Sequence, residues 1–116
     1  MAGLSTHILD THGGKPGNGV CVTLKRLRPD GSPETLMQTH TNEDGRATLM
    51  AAEDTLPGIY EIDFAIGAYF RSRGVDLPDP AFLDLVTVRF GISDVARHYH
   101  VPLLASPYGY TTYRGS

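Results

Sequence analysis

The segment Tyr60-Glu-Ile-Asp-Phe-Ala-Ile66 alternates residue by residue, with Tyr60, Ile62, Phe64 and Ile66 on one side and Glu61 and Asp63 on the other. Successive side chains of an extended chain point to opposite faces, so this pattern buries one face and wets the other only as a β-strand. Similar short stretches recur along the chain. Leu4 to Asp10 reads as a first strand, and Val20 to Leu27 as a second with Val20, Val22 and Leu24 on one face. Residues 35 to 41 form a polar, half-exposed strand, and Arg46 opens a short one that ends near Met50. Val86, Val88 and Phe90 mark another, and 97 to 105 with 108 to 115 make the final hairpin. About eight strands are too many for one small open sheet, so an all-β sandwich of two packed sheets is expected.

Turn chemistry separates these runs. Thr11-His-Gly-Gly-Lys-Pro-Gly-Asn-Gly19, Pro29-Asp-Gly-Ser-Pro33 and Asn42-Glu-Asp-Gly45 are clusters of residues that favour reversals. The glycine-rich run at 13 to 19 lacks a phosphate-binding pattern and reads as a hairpin connection. Gly67 to Arg73 breaks the alternation and reads as a short helix ended by Gly74, and the prolines of Val75-Asp-Leu-Pro-Asp-Pro80 prevent its continuation.

At 116 residues the chain is expected to be a single domain spanning 1–116, without linker or repeat. Its 41% hydrophobic and 20% charged content is that of a globular protein. The net charge of −3 argues against a nucleic-acid partner. No apolar run approaches the roughly 18 residues of a spanning helix, and the first ten residues lack the regions of a signal peptide. A soluble, cytoplasmic protein with no membrane partner is therefore expected. The one cysteine, Cys21, excludes an intramolecular disulfide, and its setting in Val20-Cys-Val-Thr-Leu24 reads as a small buried hydrophobe rather than a nucleophile.

Proton-moving and anion-holding side chains fall within or beside strands at three places. His7 lies mid-strand, Arg46 follows a turn, and His98 and His100 share one face of their strand about 7 Å apart. Each type also occurs in ordinary solvated roles, so spacing alone does not define a site. The pair His98 and His100 could share a zinc ion with a third ligand such as His7, but no cysteine pair or His-Glu motif accompanies them. Neither a metal nor another cofactor is expected. The closing run Pro107-Tyr-Gly-Tyr-Thr-Thr-Tyr113-Arg114-Gly115-Ser116 follows a strongly β-prone stretch, so the chain end is expected to be held in a sheet, where it can carry functional groups.

Taken together, Ser5-Thr-His-Ile-Leu-Asp-Thr11, Asn42-Glu-Asp-Gly-Arg46, Gly58-Ile-Tyr-Glu61, His98-Tyr-His-Val-Pro-Leu-Leu104 and Ser106 to Ser116 resemble the 5-hydroxyisourate hydrolases, transthyretin-related enzymes of purine breakdown. The resemblance runs from residue 4 to the last residue, and Tyr113-Arg-Gly-Ser116 is its most specific part. Ile8 and Thr111 depart mildly from the commoner valine and serine. The resemblance implies a transthyretin-like two-sheet sandwich with one short helix, and a homotetramer whose central channel holds the active sites. It implies hydrolysis of 5-hydroxyisourate to 2-oxo-4-hydroxy-4-carboxy-5-ureidoimidazoline, with His7, Arg46, His100 and Ser116 as catalytic residues. His7, Arg46 and Tyr113 would also bind substrate, and Ser116 would offer its hydroxyl or the chain's own carboxylate. The choice of His100 over His98 rests on the resemblance. The alternative is a small-ligand carrier of the transthyretin kind, which the polarity of these positions disfavours.

Overall fold

The alternation that defines the strands also sorts their side chains into an interior and two outer faces. The protein is described by a computed structural model over residues 3–116. The strands are β1 (Gly3–Asp10), β2 (Lys15–Pro16), β3 (Cys21–Leu27), β4 (Pro33–His40), β5 (Arg46–Ala51), β6 (Gly58–Ala65), β7 (Leu85–Ile92), β8 (His98–Ser106) and β9 (Gly109–Thr112). A 3₁₀ turn at Ala52–Asp54 follows β5, and the helix α1 (Ile66–Ser72) follows β6. One sheet has the order β4-β3-β6-β7. The other runs β2-β1-β8-β9, with β5 also paired to β1. All neighbours are antiparallel except β1 and β8, which run parallel with Ser5 opposite His100.

The interior is where the sequence pattern places it. Leu4, Val22, Leu24, Tyr60, Ile62 and Phe64 are all fully buried. Glu61 and Asp63 face outward, where Asp63 accepts a hydrogen bond from Thr87 Oγ1 at 2.7 Å and pairs with Lys25 at 2.8 Å. Ile66, Tyr69 and Phe70 turn the inner stripe of α1 onto this core at helical spacing. The Tyr69 hydroxyl donates to Asp10 Oδ2 at 2.8 Å and the Gly13 N–H donates to Asp10 Oδ1 at 2.7 Å. A carboxylate that is 3% exposed is thereby satisfied, and the loop after β1 is fixed.

Four details depart from the sequence reading. Nine strands form, because the glycine-rich loop folds back so that Pro16 and Lys15 pair with Leu9 and Asp10. Ile66 opens the helix instead of ending the strand, yet remains buried at 1% exposure, so the core contact read from its parity survives the change of backbone. The last strand stops at Thr112, short of residue 115. Cys21 is half-buried, not an interior residue, because its buried neighbours Val20 and Val22 take the inward positions and parity sends Cys21 outward.

Candidate active site

Parity on β1 fixes the geometry of the polar residues. Leu4, Thr6 and Ile8 point into the sandwich with at most 1% exposure, which leaves Ser5 and His7 on the outer face. One edge of β1 takes β5, with His7 opposite Arg46 and Ser5 opposite Thr48. The other edge takes β8, whose inward residues Tyr99, Val101 and Leu103 are buried and whose outward residues include His98 and His100. His7, Arg46, His98 and His100 therefore gather across three adjacent strands on one face. Thr6 Oγ1 donates to the Val101 carbonyl at 2.7 Å inside the sandwich and pins the two central strands from behind.

Arg46 reaches this face because the preceding turn is closed by its own side chain. Asn42 Oδ1 accepts hydrogen bonds from the backbone N–H groups of Asp44 at 2.9 Å and Arg46 at 3.0 Å. Gly45 sits at φ +74, and a Cβ there would collide with the Ile8 carbonyl that borders it. The Gly45 carbonyl accepts from the Ile8 N–H at 2.8 Å, which carries the β1–β5 pairing up to the turn.

Ser5 lies between the two outward histidines of β8. Its Oγ is 2.9 Å from His98 Nε2 and 2.9 Å from His100 Nδ1. The two rings lie nearly parallel, 21° apart, with centroids separated by 6.5 Å. His98 is exposed and His100 half-buried. Burial is the main cause that lowers the His100 pKa below 6.5, followed by the charge of Arg46 and then those of His7 and His98. His100 is accordingly an uncharged imidazole at neutral pH, able to take a proton.

The chain end is tied to the same histidine. Leu103 lies opposite Thr112 in the β8–β9 ladder, and the same register resumes where Gly115 lies opposite His100. The Gly115 N–H donates to the His100 carbonyl at 2.8 Å. A Cβ on Gly115 would lie 2.6 Å from His100 Cδ2 and 3.2 Å from Pro102 Cγ, so only glycine lets the tail come this close. In the gap between, Tyr113 is 57% exposed and Arg114 places its guanidinium 4.1 Å from the centre of the Tyr99 ring. Tyr113 also borders an apolar pocket of about 250 Å³ lined by Val88, Phe90, Tyr99 and Val101.

Of the residues singled out in the sequence, His7, Arg46 and His100 share the face with His98. Ser116 follows Gly115, which pairs with His100, whereas Tyr113 borders the pocket lined by the inward residues Tyr99 and Val101 and is not brought into the histidine cluster. Among the described residues no three His, Cys, Asp or Glu side chains form a group able to hold a metal ion. The bridging role of Ser5, the close approach of Gly115 and the Tyr99–Arg114 contact were not foreseen. Ser5 shares the parity of His7, but its contact with β8 follows from a pairing between segments 95 residues apart.

Fold and site define a class: a two-sheet β-sandwich that carries an imidazole–guanidinium cluster on the outer face of one sheet. Within it, the chain belongs to the HIUase/Transthyretin family, whose match covers residues 4–115. A "5-hydroxyisourate hydrolase" of Ralstonia nicotianae is 52% identical over the whole of both chains. The structure of an (S)-allantoin synthase superposes with a TM-score of 0.90 at 39% identity, over 99% of this chain and 44% of that one, so this chain spans less than half of that protein. Sea bream transthyretin, solved in complex with thyroxine, superposes with a TM-score of 0.87 at 27% identity over 97% of this chain and 93% of that one.

Proposed function

We propose that this protein is an enzyme that hydrolyses 5-hydroxyisourate to 2-oxo-4-hydroxy-4-carboxy-5-ureidoimidazoline, a step of urate breakdown. The observation that carries the reading is the gathering of His7, Arg46 and His100 on one sheet face. The reading is supported by the end-to-end likeness to a protein named for that activity. Opening a cyclic amide requires a base for the attacking water, a cation or donors for the carbonyl oxygen that becomes negative, and an acid for the departing nitrogen. The imidazoles of His7 and His100 suit both proton roles at neutral pH. Arg46, always charged and fork-shaped, suits the developing anion and the paired oxygens of the substrate. We assign Tyr113 to bind a substrate edge through its hydroxyl, and Ser116, the residue after the Gly115 that pairs with His100, to add a further hydroxyl.

The carrier reading is weaker. A site for an apolar ligand is lined mainly by apolar and aromatic side chains, whereas this face presents imidazoles, a guanidinium and hydroxyls. The same face is open in a single chain, with Arg46 and His98 exposed, and hydrolytic sites work best where bulk water is excluded. A homotetramer whose subunits stack these faces around a channel would close it, and β7 and β9 end their sheets with edges available for lateral pairing. No helix of the described residues is long and apolar enough to cross a membrane. We place the reaction in the cytosol, where a chain with one free thiol needs no oxidative folding.

The test is spectroscopic. Urate oxidase generates 5-hydroxyisourate from urate in the cuvette, and the protein should hasten the loss of its absorbance with or without a chelator. An unchanged spontaneous rate would remove the proposal, and a chelator-sensitive rate would remove its metal-free form.

A further inference from the structure

We propose that Ser5 and His98 form a proton relay behind His100, which lets His100 act first as the base that takes a proton from water and then as the acid that gives one to the departing nitrogen. The inference rests on the hydrolytic reading of this face and assigns the two proton roles within it.

Ser5 offers one hydroxyl with one proton. Ser5 Oγ stands 2.9 Å from His98 Nε2 and 2.9 Å from His100 Nδ1, so it can donate to only one of them and must accept from the other. Two arrangements satisfy all three groups. In the first, His100 Nδ1–H donates to Ser5, Ser5 donates to His98 Nε2, and His100 Nε2 is bare and basic. In the second, His98 Nε2–H donates to Ser5, Ser5 donates to His100 Nδ1, and His100 Nε2 carries the proton.

Taking a proton from water at His100 Nε2 converts the first arrangement into the second. The proton on Nδ1 moves to Ser5 Oγ, and the Ser5 proton moves to His98 Nε2. No net charge stays on His100, and hydroxide is left to attack the carbonyl. His98 becomes the cation, and His100, neutral and protonated at Nε2, can donate to the nitrogen that leaves. When it does so, the relay runs backward and both imidazoles return to their starting states. Every proton is accounted for and no further reactant is needed.

The surroundings favour this direction. His100 is half-buried, and Arg46 on β5, His7 on β1 and His98 on its own strand all face it, so a lasting charge there is unfavourable. Gly115 covers one edge of its ring with a carbon and no charge. His98 is exposed, and water stabilises its cation at little cost. The relay thus moves the charge from the confined imidazole to the solvated one. Ser5 and His98 act through His100 and are positioning residues.

The direct test is nitrogen-15 NMR of the imidazole rings, which reads the proton on each nitrogen and needs no substrate. As the pH is lowered and a proton enters the relay, His100 should pass from the Nδ1–H to the Nε2–H form while remaining neutral. Ser5→Ala should abolish that change, and Ser5→Thr, which keeps the hydroxyl on a strand-compatible side chain, should restore it. A His100 that holds one tautomer throughout, or that changes tautomer equally in Ser5→Ala, overturns the relay.

Kinetics give a second readout. Ser5→Ala and His98→Ala should each lower kcat by roughly tenfold with KM little changed, short of the about 10²- to 10⁴-fold expected on losing an acid or base itself. The double variant should be no slower than the slower single variant, whereas multiplied losses would show independent roles and defeat the proposal. Wild-type protein that leaves 5-hydroxyisourate decay unchanged would count against the hydrolytic reading alone, because the tautomer measurement still decides the relay.

Discussion

His100 is the residue on which burial, charge and chain trace converge. Burial first, and then the Arg46 charge, hold its pKa below 6.5, and the sign of the resulting pH dependence follows. The neutral imidazole persists below pH 6.5, so in Ser5→Ala, where His98 no longer sets the His100 tautomer, kcat/KM should decline only as pH falls through the lowered value. Removing the charge in Arg46→Met should move that acid limb upward, toward the ordinary imidazole range, besides lowering the rate. A limb that stays in place would separate Arg46 from His100. Gly115→Ala sets a Cβ against His100 Cδ2. A displaced imidazole should cost on the order of 10²-fold in kcat, with thermal unfolding nearly unchanged. The candidate residues were legible one by one, because histidine and arginine announce their chemistry. Ser5 was not, since a serine beside a strand histidine has meaning only once its cross-strand neighbours are known.

At the scale of elements, the sequence was most readable where alternation was strict. Tyr60, Ile62 and Phe64 on β6 and Val22 and Leu24 on β3 bury as their parity requires. Legibility failed where local pattern competes with tertiary pairing. The two-residue β2 is a strand only because Leu9 and Asp10 offer it an edge, and Ile66 buries equally well as the first residue of a helix. The tail is the third such case, because pairing pauses between Thr112 and Gly115. Tyr99 joins that pause to the turn after β7. Its hydroxyl oxygen accepts from the N–H groups of Ser93 at 3.0 Å and Asp94 at 3.2 Å, and Arg114 lies over its ring. These hydrogen bonds, chiefly those to Ser93 and Asp94, lower its pKa from 10.0 to about 8, with a smaller contribution from the Arg114 charge. Absorbance at the tyrosinate band should show one residue ionising near pH 8, and Tyr99→Phe should remove that step. Because the folded chain prefers the ionised form, Tyr99 adds stability as pH rises between about 8 and 10. Six tyrosines titrating together would contradict this. Deleting Tyr113 to Ser116 should abolish most turnover while circular dichroism still reports a folded sandwich.

For the whole molecule, the proposed function requires a partner that encloses the outer sheet face carrying His7, Arg46 and His100. Sedimentation should give the mass of four subunits, and specific activity should fall on dilution below the assembly concentration. A fully active monomer would remove the channel from the account. The central claim is that His7, Arg46 and His100 form one hydrolytic unit, and it is tested most directly by the steady-state turnover of enzymatically generated 5-hydroxyisourate. Wild type should be compared with His7→Ala, Arg46→Ala and His100→Ala, each checked for an unchanged melting temperature. The account predicts a loss of about 10² to 10⁴ for His100, whose imidazole moves the protons, and clear losses for His7 and Arg46, which hold the substrate against it. Near-wild-type turnover in any of the three folded variants would contradict it.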